Sequence, residues 1–206
     1  MKTTHIYLAI LIVVSIALSC KDNATTMDTN DTETTALQNK EPSGSEAEEK
    51  PQLKWRENVE VLKNLTPLSE AEFKGWLPSS IAGLNQQDLV INAYEDFATL
   101  NVNFKNGDTY LKLNIIDGAG TRGSQLVAPA HKIATENLDR KVPKGYTKTV
   151  KKNNIIAREK YKEIINEYRI LFFYNDRFYI TVTSNLDRDK LWQTIKDLKF
   201  GNLRKQ

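Results

Sequence analysis

Cysteine is nearly absent from this 206-residue chain: Cys20 stands alone, beside only two histidines, His5 and His131. That leaves little material for a zinc site, a disulfide framework or a serine–histidine or cysteine–histidine catalytic pair. Glycine and proline are sparse, at nine and six residues, and no fixed-period repeat runs along the chain, which excludes collagen-like and repeat architectures. No long apolar run follows residue 18, so a multispan membrane protein is excluded as well. What is present is 27% charged residues and 9% aromatics, in a length that suits one modest domain with additions.

The additions lie at the N-terminus. Lys2 supplies a positive start, and Ile6 to Leu18 form an apolar run of 13 residues broken only by Ser15, which reads as the hydrophobic core of a secretory signal peptide spanning residues 1–19. A permanent spanning helix needs about 20 apolar residues, so this run is expected to be cleaved. Ala17-Leu18-Ser19-Cys20 resembles the lipobox of bacterial lipoproteins, with Ala17 in place of the more usual leucine. The resemblance implies that the Cys20 thiolate takes a diacylglyceryl thioether and becomes the first residue of the mature chain. Each buried methylene contributes about 0.8 kcal/mol, so several acyl chains on one cysteine make a durable anchor. In lipoproteins of this kind an aspartate directly after the cysteine goes with retention in the inner membrane. Lys21 at that position implies the outer membrane, facing the periplasm or the surface.

Residues 20–50 then read as a lipidated cysteine and a disordered acidic tether. From Lys21 to Lys50 there is no aromatic residue, and eight acids face three lysines for a net −5. Such a segment buries too little apolar area to offset the entropy of ordering it. Because the whole chain is +3, residues 51–206 carry +7 once Lys2 is set aside. A flexible tether of this length spans on the order of 30 Å, enough to hold a domain clear of a bilayer.

Residues 51–206 are expected to form a single α+β domain. Trp55, Val59 and Leu62 recur at helical spacing, and Ser69 with Glu72 three residues on predicts a capped second helix ended by Pro78. Leu89 and Ile91 suggest a strand. Leu100, Val102 and Phe104 alternate toward Asn106-Gly107, which predicts a type I′ turn, and Leu111, Leu113 and Ile115 alternate on the return. Residues 124–138 read as a helix with Leu126, Ala130, Ile133 and Ala134 apolar, regular from Pro129. Strands resume at Tyr146–Val150, Ile155–Tyr161, Glu167–Tyr174 and Phe178–Thr183, and Leu191, Ile195 and Leu198 mark a terminal helix opening near Asp187. The pattern predicts an antiparallel sheet built from two meanders, with helices packed on it as a two- or three-layer sandwich.

Several motifs compete for a functional reading. Gly118-Ala119-Gly120-Thr121-Arg122-Gly123 matches the dinucleotide fingerprint letter for letter. It follows the return arm of an antiparallel hairpin rather than opening a parallel βαβ unit, so it reads instead as a mobile glycine loop in which Arg122 and the loop amides are a weak candidate for an anionic ligand. Lys141, Lys144, Lys148, Lys151, Lys152, Arg158, Lys160 and Lys162 crowd positive charge into one stretch. Basic side chains on an exposed sheet usually serve solvation, yet a positive face also suits an acidic polysaccharide, lipid headgroups or an acidic protein, and Lys151, Lys152 and Arg158 are its candidate contacts. An envelope address argues against nucleic acid. Phe172, Phe173, Tyr174, Phe178 and Tyr179 read as packing against Trp192 on the last helix, His131 as a residue on a polar helix face, and Asp96, Asp117 and Glu159 as carboxylates that no spacing pairs for glycoside chemistry. No catalytic residue, metal or cofactor is expected.

Leu77-Pro78-Ser79-Ser80-Ile81-Ala82-Gly83-Leu84, Asn114-Ile115-Ile116-Asp117-Gly118 and Tyr174-Asn175-Asp176-Arg177-Phe178 together resemble segments of a family of uncharacterised bacterial envelope lipoproteins, over about residues 70 to 200. That family has no assigned activity to carry over. The order of elements also resembles the PsbP-like sandwich, which implies a fold and no function. The sequence therefore predicts a lipid-anchored envelope protein whose domain is a non-enzymatic binding or structural module, touching the membrane through Cys20. An envelope hydrolase acting on glycan or peptide, and a subunit of an envelope assembly, are the alternatives.

Overall fold

The computed structural model describes residues 51–204; the signal peptide, Cys20 and the tether lie outside the described residues. Helix α1 (Pro51–Lys63) buries Leu62 and half-buries Trp55 and Val59, the three residues whose spacing announced it. Helix α2 (Glu70–Trp76) starts with the expected capping box: the Ser69 hydroxyl accepts from the Glu72 amide, and the Glu72 carboxylate accepts from the Ser69 amide at 2.7 Å.

All remaining strands join one antiparallel sheet. In chain order they are β1 (Ser80–Ile81), β2 (Leu84–Ala93), β3 (Ala98–Asn106), β4 (Thr109–Asp117), β5 (Asp139–Val142), β6 (Gly145–Lys152), β7 (Ile155–Lys162), β8 (Glu167–Tyr174) and β9 (Phe178–Ser184). Their order across the sheet is β1-β2-β3-β4-β9-β8-β7-β6-β5, so β9 is the central strand and its pairing with β4 joins the first four strands to the rest. The broad α+β expectation matches this antiparallel sheet with a few helices. One face holds the core: Leu100, Phe104, Leu113, Ile115, Phe172 and Ile180 meet Phe73 of α2 and Leu191, Trp192 and Ile195 of α5 (Arg188–Asp197). Phe172 and Phe178 are fully buried, whereas Phe173, Tyr174 and Tyr179 are half-buried. The opposite face is covered in part, where α4 (Ala128–Thr135) lies over β7 and β8.

Three local expectations are corrected. The β3–β4 turn is Gly107-Asp108, because Asn106 pairs with Thr109, and only Gly107 has positive φ (+59°). A type I′ turn needs positive φ at both central residues, so this is not one. The predicted helix over 124–138 is two, α3 (Thr121–Leu126) and α4, broken at Val127. Ala130 and Ile133 are buried as the spacing implied, whereas Leu126 and Ala134 are exposed and Val127, at the break, is buried in their place. The glycine segment is a packed corner rather than a loose loop. A Cβ on Gly118 would stand 2.6 Å from the Arg177 carbonyl, and one on Gly120, at φ +82°, would run into the Asp96 backbone.

Two of the three segments quoted from the sequence, Asn114 to Gly118 and Tyr174 to Phe178, meet at that corner. The Asp117 carboxylate, at the end of β4, receives both arms of the Arg177 guanidinium at 2.7 Å and also the amides of Leu68 (2.8 Å) and Ala119 (3.0 Å). Arg177 donates in addition to the Thr66 carbonyl. The third segment forms the small β1–β2 hairpin, where Ala82 and Gly83 turn at positive φ and Ile81 and Leu84 are buried as a pair. These segments hold the fold together through the ion pair and the buried hairpin pair.

Candidate functional site

Side chains two apart on a strand share a face, so Arg158, Lys160 and Lys162 of β7 all point to the side away from the core. Register completes the cluster. Arg169 of β8 stands directly opposite Lys160, Thr183 of β9 stands beyond Arg169, and Lys112 of β4 beyond Thr183. Like charges directly opposite across a strand pair are destabilising. Burial pushes the Lys160 ammonium below its usual range, and the neighbouring charges of Arg169, Arg158 and Lys162 push it further. Two acids border the cluster and each is engaged: Glu136 holds Arg158 at 2.8 Å, and Glu167 accepts from the Tyr110 hydroxyl at 2.6 Å while lying 4.0 Å from Lys162. Lys160 and Arg169 make no ion pair among the described residues.

Arg158 also belongs to a groove. His131 of α4 lies between the rings of Trp55 (4.3 Å) and Phe173 (5.4 Å), with a cavity on each side. One, of about 380 Å³, is lined by Lys54, Asn58, Phe173 and Asp176; the other, of about 630 Å³, by Trp55, Pro129, Lys132 and Arg158; His131 and Thr135 line both. Nε2 of His131 and Nε of Arg158 are buried with no hydrogen-bond partner among the described residues. Burial drives the imidazole pKa down, against a smaller opposing pull from Asp176, so the ring favours its neutral form. A polar helix face was the sequence expectation for His131; the correction arises because α1 lays Trp55 over the ring.

Of the four residues proposed from sequence, Lys151 and Arg158 share the cationic face. Lys152 points to the opposite face and pairs with Asp189 at 2.7 Å. Arg122 lies apart on α3, its guanidinium 4.4 Å from the centre of the Phe97 ring. Amides of the glycine corner are taken within the chain: Gly118 donates to Arg177, Ala119 to Asp117, Gly120 to Leu62 and Gly123 to Asp96. Sequence reasoning missed Arg169 and Lys112, whose membership depends on strand pairing. The shared parity of residues 158, 160 and 162 was visible. The carboxylates stay separate, Asp117 held by Arg177 and Glu159 by Tyr146, Arg188 and Trp192. Among the described residues no group of three or more histidine, cysteine or acidic residues is placed to hold a metal ion, and no helix is long and apolar enough to cross a membrane. Comparison with models of known families, with curated proteins and with solved structures finds no match for the chain, so function is inferred from the geometry of the molecule itself.

Proposed function

We propose that this chain is a lipid-anchored bacterial envelope protein, held in the outer membrane through Cys20, whose domain is a non-enzymatic binding module that presents a cationic sheet face to an acidic polysaccharide or acidic protein. The observation that carries this reading is the facing pair Lys160 and Arg169, flanked by Arg158 and Lys162 with too little acid to neutralise them. Such a cluster costs stability in the isolated domain, and an anionic partner removes that cost. In this reading the sheet is two meanders, β1–β4 and β5–β9, with helices as flanking layers.

A soluble polyuronate is the probe. The full chain should bind it at low ionic strength and release it as salt rises past the level where charges about 10 Å apart are screened. Lys160→Glu with Arg169→Glu should weaken binding at least about tenfold, the equivalent of about 1.4 kcal/mol, with the circular dichroism spectrum unchanged. Binding that is insensitive to the double reversal overturns the assignment of this face.

The anchor has a separate test. Cys20→Ala should move the protein from the membrane fraction to the soluble fraction and remove the acyl mass from the purified product. A native product with an unmodified sulfur refutes lipidation and leaves the cationic face as it is.

A further inference from the structure

The two borders of the sheet are built in opposite ways. β5 is four residues long and exposed throughout, with Asp139, Arg140 and Lys141 on it and Pro143 beside it. Charges, proline and short length are what keep an edge strand from pairing. β2 has none of these from Leu89 to Ala93, yet β1 pairs only with Leu84 and Asn85, and the Gln86 amide turns to the Ser79 carbonyl. From Leu89 to Ala93 the outer side of β2 has no strand partner among the described residues.

The Tyr94 amide donates to the Phe97 carbonyl at 2.9 Å, which sets the phase of the ladder. Alternate residues then bond inward, so Val90 and Asn92 bond to Asn101 and Thr99 on β3, and Leu89, Ile91 and Ala93 turn their N–H and C=O groups outward. Beside them Val90 and Tyr94 are 52% and 57% exposed. The register shift between Gln86 and Leu89 bends the strand and bounds this open segment on its other side.

We infer that this edge is where a second copy of the chain adds its own β2, antiparallel, about a two-fold axis at Ile91. Ile91 of one copy then faces Ile91 of the other, Leu89 faces Ala93, and about six backbone hydrogen bonds close the seam. Charge selects this occupant. A two-fold axis sets a strand against itself, and Leu89-Val90-Ile91-Asn92-Ala93-Tyr94 contains no charge to repel its own image. The same operation on β5 would bring Arg140 and Lys141 against each other.

Hydrogen exchange and sedimentation on the full chain in detergent, from about 1 to about 100 µM, test the seam, since mass action populates a micromolar dimer over that range. The protein mass should double and stop there. Exchange at Leu89, Ile91 and Ala93 should slow about tenfold or more with concentration, while Val90 and Asn92, already bonded to β3, should not change. Ala93→Pro removes only an outward N–H and should abolish both effects with the fold intact. Val90→Lys, on an exposed side chain, should do the same and serves if the proline variant fails to fold. A chain that stays monomeric over the range, a mass that grows beyond two copies, or a dimer that survives a folded variant overturns the inference.

Discussion

Arg177→Ala should destabilise the domain by about 3–5 kcal/mol, read as a fall in the urea midpoint at unchanged slope. Asp117 is fully buried and Arg177 nearly so, and the guanidinium binds the carboxylate through two contacts of 2.7 Å. Removing the arginine leaves an anion with no opposite charge in a place water does not reach, which costs more than the intact pair contributes. The same arginine ties down the Thr66 carbonyl, so the link between α1 and α2 loosens too. Arg177→Lys keeps the charge without the fork and should fall between. Asp117→Ala orphans the Leu68 and Ala119 amides as well, so the double variant should lose less than the sum of the two single ones. A loss below about 1 kcal/mol for Arg177→Ala would show that the corner holds without its ion pair.

Glu159→Ala should cost a similar amount, again about 3–5 kcal/mol. Its carboxylate is buried under α5 and accepts from the Tyr146 hydroxyl at 2.7 Å, from Arg188 at 2.8 Å and from the Trp192 indole at 2.8 Å. Glu159→Gln keeps the volume and part of the bonding, and should cost less, about 1–3 kcal/mol. Burial alone would raise the pKa of this carboxyl, but the hydrogen bonds from Arg188, Trp192 and Tyr146 together outweigh it and hold the group below its ordinary value of 4.5. A depressed folded pKa means that the folded state favours the anion. The stabilisation is complete above the ordinary value and drains away as pH falls through the depressed one. Denaturation midpoints should therefore drop on acidification below about pH 4.5 in the wild type, and more gently in Glu159→Gln. Equal slopes in the two proteins would remove Glu159 from the acid response.

Much of the sheet was legible because strands announce themselves locally. Asn153-Asn154 and Asn175-Asp176, which lie between strands read from the sequence, turn with both residues at positive φ, and Glu167–Tyr174 has the bounds read from sequence. β5 was invisible for a physical reason: Asp139-Arg140-Lys141-Val142 is exposed on both faces, so no apolar alternation marks it. The break at Val127 was hidden because Leu126 and Ala134 look like core residues and are not, while Val127 is buried between the two helices beside Ala130 and Ile133. The candidate site was half legible. Strand parity puts Arg158, Lys160 and Lys162 on one side, but only pairing with β8 brings Arg169 opposite Lys160. The groove at His131 needed Trp55 from α1 to fold across α4, a contact between distant segments that no local pattern encodes.

The pairing of β4 with β9 has a consequence for how the molecule is made. Its two strands arrive far apart in synthesis, and the Asp117–Arg177 clasp beside them joins residues 60 positions apart. Closing so large a chain loop is slow, because the entropy is lost before the contacts form. The first four strands can make hairpins early, but their central border has nothing to lean on until the last strand emerges. A polypeptide of this topology keeps its central seam open until the ninth strand has been made.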